Sequence, residues 1–92
     1  MYRVRFSDAA NRFYKDADAT VARRINKGVE ILKVSPWTHR NIKRLSGPLS
    51  GYLRLRIGEY RIVYGVEESR KEVLVVLIAK REDIYRRMKR HS

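Results

Sequence analysis

Three arginines crowd the stretch LRLRIGEYRIVY, residues 53–64: Arg54, Arg56 and Arg61. A guanidinium is a permanently charged, planar fork of N–H donors matched to phosphate or carboxylate oxygens. Whether the three can act together depends on the local fold. Gly58-Glu59 reads as a two-residue hairpin turn with glycine first, the type II′ pattern. In that register Ile57 faces Tyr60, Leu55 faces Ile62 and Leu53 faces Tyr64, all apolar pairs for a core. A shift of one residue would set leucines against Arg61 and Val63 and split the apolar face. The same register puts Arg56 directly opposite Arg61, with Arg54 diagonal to them. Opposed like charges destabilise a sheet by roughly 0.2–1 kcal/mol per pair. A solvated face that deters edge pairing accounts for one such arginine. Three on one face without a carboxylate are better accounted for if a phosphate lies across them.

The elements that hold this hairpin follow from periodicity. Tyr2 to Phe6 alternates apolar and basic residues, as a half-buried strand does. Ser7-Asp8 then opens a short helix with Ala10, Phe13, Tyr14 and Ala17 on one face. Asp16 or Asp18 caps a second helix that runs to about Val34, with Val21, Ile25, Val29 and Leu32 as its apolar stripe. Pro36 stops it. Residues 36–51 read as an irregular basic loop with turn chemistry at Ser46-Gly47-Pro48. Glu72 to Ala79, EVLVVLIA, is apolar on both faces and should be a central strand. Residues 81–90 read as a short, very basic helix with a thin Ile84/Met88 stripe. The predicted fold is α+β, ordered β-α-α-β-β-β-α. An N-terminal helical hairpin packs on one face of a small, twisted, mostly antiparallel sheet, and a short basic C-terminal helix follows. The 92 residues make one domain, 1–92.

Composition narrows the function. The formal charge is +12, from 22 basic and 10 acidic residues, which favours an anionic partner. There is no cysteine, hence no disulfide or thiolate chemistry. His39 and His91 are far apart in sequence and suggest no zinc site. No apolar run is long enough to cross a membrane, and MYRVRF lacks the apolar core of a signal peptide. A cytoplasmic protein without metal or cofactor is expected. His39 reads as a solvated loop residue and Trp37 as an anchor for the loop after Pro36.

From Leu45 to Tyr85 the chain resembles the RelE/ParE toxin superfamily, the toxin halves of prokaryotic toxin–antitoxin pairs. The words that carry the resemblance are RLSGPLSGYLRLRIGEYRIVY and AKREDIY. The two-helix start and the strand order fit it as well. RelE-type members cleave mRNA in the ribosomal A site, whereas ParE-type members poison DNA gyrase and generally lack the cleavage residues. The RelE-type positions fall here on Arg54 in LRLR, Arg61 in EYRIVY, and Arg81 and Tyr85 in KREDIY, which are the catalytic candidates. Arg56 and Lys80 match basic positions beside them. Lys43, Arg44, Arg86, Arg87, Lys89 and Arg90 are candidates for tracking RNA backbone on the ribosome. One departure stands out. Where some members carry two lysines in the first of these strands, this chain has Tyr52 and Arg54. Arginine does not give up its proton at physiological pH, so Arg54 can hold charge but cannot act as general base.

The resemblance implies metal-independent RNA cleavage by 2′-hydroxyl attack, inhibiting translation as a type II toxin. Tyr85 has three roles open to it: a base with a lowered pKa, a stacking platform, or packing of the last helix. The implied partners are the ribosome, mRNA and a cognate antitoxin, a small protein whose acidic segment wraps the toxin. The alternatives are a ParE-like gyrase inhibitor that cleaves nothing, or a ribosome- or RNA-binding protein with decayed catalysis.

Overall fold

A computed structural model describes residues 1–80. Strand β1, Arg3–Phe6, begins the chain. Helix α1, Asp8–Asp16, starts at Ser7, whose Oγ accepts the Ala10 N–H at 3.1 Å. Helix α2, Ala19–Val34, is capped by Asp18 rather than Asp16: the Asp18 carboxylate accepts the Val21 N–H at 2.9 Å. Each cap satisfies one of the backbone donors that a helix start leaves unpaired. Helix α2 ends two residues before Pro36, and Pro36 is buried.

Four further strands form the sheet: β2, Ile42–Arg44; β3, Leu53–Ile57; β4, Tyr60–Glu67; and β5, Glu72–Lys80. Their spatial order is β1-β5-β4-β3-β2. Strand β1 runs parallel to β5, and every other pairing is antiparallel. Central placement of β5 agrees with its two-sided apolar sequence. The α+β class and the two helices packed on a mostly antiparallel sheet are as expected. The expected helix over 81–90 lies outside the described residues.

One strand was not expected. Residues 36–51 are not wholly irregular, because Ile42, Lys43 and Arg44 pair with Leu55, Arg54 and Leu53. Three residues, two of them basic, carry too little alternation to announce a strand. The exposed edge of β3 supplies the pairing instead, which is a tertiary cause.

The hairpin register is as the sequence predicts, with Ile57 opposite Tyr60, Leu55 opposite Ile62 and Leu53 opposite Tyr64. Gly58 has φ +58° and Glu59 is not left-handed, as a type II′ turn requires. Between β4 and β5 the ladder slips by one residue, so that Val63 faces Leu77 and Tyr64 faces Val75. Val76 is the extra residue of a bulge. Its carbonyl accepts from Ser7 Oγ at 2.9 Å. The slip turns Ile78 toward the helices and Leu77 and Ala79 away from them.

The main core lies between helices and sheet. Ile25 and Leu32 of α2 meet Leu53, Leu55, Ile57, Ile62, Tyr64, Val73, Val75 and Ile78. Gly28 brings α2 close: a methyl added there would lie 2.7 Å from Ile62 Cδ1. Tyr64 is fully buried, and its hydroxyl donates to the Pro36 carbonyl at 2.6 Å, tying the end of α2 to the sheet. Burial pushes its phenol pKa up. On the other side of the sheet, which is helix-free among the described residues, a smaller cluster forms from Val63, Leu77 and Ala79, with Leu45 and Val76 against it.

Candidate nucleic-acid interface

Alternation along β3 and β4 sends the leucines and Ile62 to the helices and the arginines to the other face. Arg56 stands directly opposite Arg61, and Arg54 is opposite Val63, so the three arginines share the helix-free face. Lys43 joins them, because β2 sets it opposite Arg54. No acid of β2, β3 or the adjacent start of β4 points to this face. Among the described residues the acids of this face, Glu67 and Glu72, lie opposite each other at the far end of β4 and β5. There Glu72 sits 3.9 Å from Arg3 and 4.0 Å from Arg5.

The arginines are partly held in place. Arg56 Nη2 donates to Asn41 Oδ1 at 3.4 Å, and its backbone N–H donates to the Asn41 carbonyl at 3.0 Å. Arg61 Nη1 donates to the carbonyls of Gly58 at 3.1 Å and Tyr60 at 3.2 Å, among its contacts. These bonds restrain the two guanidinium groups on the sheet surface. Arg54 differs: its Nε is buried and has no hydrogen-bond partner among the described residues. A buried guanidinium N–H without an acceptor is costly, and an anionic oxygen on this face would relieve it.

Not every candidate joins the cluster. Arg44 sits on the opposite side of β2 from Lys43, and its guanidinium lies 5.2 Å from the centre of the Trp37 ring. That is a cation–π contact at the sheet edge. Lys80 pairs with Tyr60, so alternation gives it the helix side at the end of β5. Arg81, Tyr85, Arg86, Arg87, Lys89 and Arg90 lie outside the described residues. Sequence reasoning passed over Asn41, the acceptor for Arg56, and nothing in the sequence singles it out.

Trp37 is an anchor, as expected. Its Nε1 donates to Glu68 Oε1 at 2.6 Å. Glu68 also accepts from the Tyr2 hydroxyl at 2.7 Å and from the Lys71 ammonium. This carboxylate therefore ties together the start of β1, the loop after α2 and the β4–β5 turn. Among the described residues no group of three His, Cys, Asp or Glu could hold a metal ion. Nor is any described helix long and apolar enough to cross a membrane.

The fold is that of a known class of toxin. A family model for the ParE toxin of the type II toxin–antitoxin system parDE matches residues 4–85. The chain belongs to that family, within the RelE/ParE toxin superfamily. It is similar to a chain of the archaeal RelE–RelB complex from Pyrococcus horikoshii, with 24% identity and a TM-score of 0.74 over 87% of this chain and 94% of that one. It is also similar to the YoeB/ParE toxin from Agrobacterium tumefaciens, with 24% identity and a TM-score of 0.75 over 85% of this chain and 96% of that one. For the intact RelBE toxin–antitoxin complex of E. coli the values are 26% and 0.71, over 87% and 96%. No curated protein matches the chain.

Proposed function

We propose that this toxin is a ribosome-dependent mRNA endonuclease that cleaves in the A site without a metal, and so stops translation. The observation that carries the reading is the basic cluster in which Arg56 opposes Arg61, with Arg54 and Lys43 beside them and no acid of β2, β3 or the start of β4 on the same face. Opposed arginines are unfavourable on their own and become favourable against a phosphate.

In the reaction the ribose 2′-hydroxyl loses its proton and attacks the adjacent phosphorus. The bond from phosphorus to the 5′-oxygen breaks, and that oxygen takes up a proton. The products are a 2′,3′-cyclic phosphate and a 5′-hydroxyl. Negative charge builds on the non-bridging oxygens. Arg61 and Arg54 supply the fixed donors that meet it. One such preorganised donor contributes about 3–4 kcal/mol to a transition state. Arg54 takes no proton, because a guanidinium stays charged. The 2′ proton passes to the Tyr85 phenolate or to solvent water, and water supplies the proton that the 5′-oxygen takes up, while the ribosome contributes the orientation of the mRNA.

The partner is an antitoxin with an acidic segment. Support comes from the +12 charge and from the similar toxins that are found in complexes with RelB.

A second reading has its own support. The family model that matches is named for ParE, and ParE-type toxins act on gyrase. The two readings separate in a translation reaction with purified ribosomes, using Arg61→Ala as control. Cuts in the message that need both ribosome and Arg61 support the nuclease. Intact message together with inhibited gyrase supports the ParE-like reading.

A further inference from the structure

Among the described residues four large apolar side chains are exposed, and two of them flank one groove: Tyr52, 37% exposed, and Leu74, 44% exposed. The groove has a volume of about 630 Å³ on the helix-free face. Its floor is Gly65, directly opposite Leu74 in the ladder. The edge of the Tyr52 ring lies over this glycine, 3.8 Å from where a side chain would begin. The backbone of Tyr52 is pinned at both ends. Its N–H donates to Leu49 at 3.1 Å, and its carbonyl accepts from Leu45 at 3.0 Å. Tyr52 is thus a flat ring on a fixed mount, with one neighbour that has no side chain.

The groove continues the arginine face. Tyr52 precedes Arg54 by two residues on the same side, an advance of about 7 Å along a strand. The two regions differ in charge. Around the arginines no acid is contributed by β2, β3 or the start of β4. At the groove Arg5 and Arg70 are balanced by Glu67 and Glu72. An uncharged, flat group suits the groove and a phosphate suits the arginines. A nucleotide has both parts in that arrangement, whereas an acidic peptide gains little from a charge-balanced groove. Aromatic rings beside basic residues are the recurrent device for holding unpaired bases.

The geometry points to Tyr52 as a stacking platform for one mRNA base, with Gly65 and Leu74 shaping its slot. Tyr52 then sets which codon position the toxin senses while Arg54 holds the adjoining phosphate. This inference rests on the nuclease reading and gives it a base-recognition site.

The test measures binding and not cleavage. Ribosomes are programmed with an mRNA whose A-site codon is 2′-O-methylated, so that no 2′-hydroxyl can attack. Toxin affinity is compared between this message and versions with a single abasic nucleotide at each codon position. With wild-type toxin, one abasic position lowers affinity by roughly 5- to 150-fold, the range for loss of one stacked base. Tyr52→Leu keeps an apolar cover on Gly65 but removes the π-face. It lowers affinity for the intact message to the same degree and abolishes the abasic penalty. Tyr52→Phe retains both affinity and penalty. A full abasic penalty in Tyr52→Leu, or no penalty in wild type, overturns the inference and leaves the nuclease reading standing. Wild-type toxin that ignores programmed ribosomes altogether overturns both. Tyr52→Leu that binds messages normally but loses affinity for an acidic antitoxin segment makes the groove a protein-docking site and also overturns the inference.

Discussion

Arg56 and Arg61 stand directly opposite each other across the β3–β4 hairpin, Arg56 bonded to Asn41 Oδ1 and Arg61 with the Gly58 and Tyr60 carbonyls among its partners. The pairing conflicts with sheet stability, because directly opposed like charges cost about 0.2–1 kcal/mol. Arg56→Thr should therefore leave the fold as stable as wild type or up to about 1 kcal/mol more stable, since threonine also suits a strand. Function should move the other way. Ribosome binding weakens, and its salt dependence flattens by about 0.7 in log–log slope for the lost single-strand phosphate contact. Urea unfolding beside a salt titration of binding reads both. A variant that loses stability but keeps its salt slope would show that Arg56 serves the sheet and not an anion.

Arg61→Ala and Arg61→Lys separate charge from geometry. Removal of a donor to a developing oxyanion costs about 10²–10³-fold in rate. We expect Arg61→Ala to lose at least that factor in ribosome-dependent cleavage while unfolding as cooperatively as wild type. Lysine restores a point charge but not the planar fork, so Arg61→Lys should recover only part of the rate. Full activity in Arg61→Ala would remove this residue from the site.

How much of this site was legible depends on the element. The β3–β4 hairpin was readable because Gly58 marks the turn and two apolar triplets lock the register. The arginine face followed from that register alone. Strand β2 was not readable. Only Ile42 is apolar in it, and its pairing comes from the free edge of β3. Missing it hid the difference between Lys43, which joins Arg54, and Arg44, which turns to Trp37. In β5 every residue from Val73 to Ala79 is apolar, so no alternation betrays the bulge at Val76. The side on which Leu77 and Ile78 lie could be known only once β4 had set the ladder. Glu68 binds partners far away in sequence, Tyr2 and Trp37, and no local pattern announces such a residue.

Gly28 should resist enlargement. A methyl there would sit 2.7 Å from Ile62 Cδ1 and 3.2 Å from Ile57 Cγ1, both inside the core. Alanine gains about 1 kcal/mol of helix propensity over glycine, against an overpacking cost of about 1–3 kcal/mol. Gly28→Ala should thus lose about 0–2 kcal/mol. Gly28→Val adds further methyls at the same contact and should lose more than about 2 kcal/mol. Chemical unfolding of the pair checks the order. Valine tolerated as well as alanine would mean that α2 can lift from the sheet at little cost.

Tyr64→Phe tests the link between the sheet and the end of α2. The hydroxyl donates to the Pro36 carbonyl at 2.6 Å within the buried core. Phenylalanine fits the same space but leaves that carbonyl without its donor, which costs about 1–3 kcal/mol. The loss should appear as a lower urea midpoint with an unchanged slope, since the buried surface hardly changes. A midpoint equal to wild type would mean that the carbonyl finds another donor.

Glu68 gives the fold an acid-sensitive tie. Its carboxyl pKa is lowered from 4.5 to about 2, chiefly by the hydrogen bond from Lys71, then by those from Trp37 and Tyr2. The folded value lies below the unfolded one. Its contribution is therefore complete above about pH 4.5 and disappears as pH falls from there toward 2. Lys71 shifts upward, chiefly through the same bond, so its share is complete below its ordinary pKa of 10.5 and is lost above that value. Glu68→Gln should melt below wild type at neutral pH, and the two melting curves should converge as pH approaches 2. Trp37 is the single tryptophan of the chain and donates directly to Glu68, so its emission reports the event locally. In wild type the emission should change over the same acid range before global unfolding, and in Glu68→Gln that step should vanish. If the gap between the two proteins stays constant from pH 6 to pH 2, the three donors do not hold this carboxylate in its charged form.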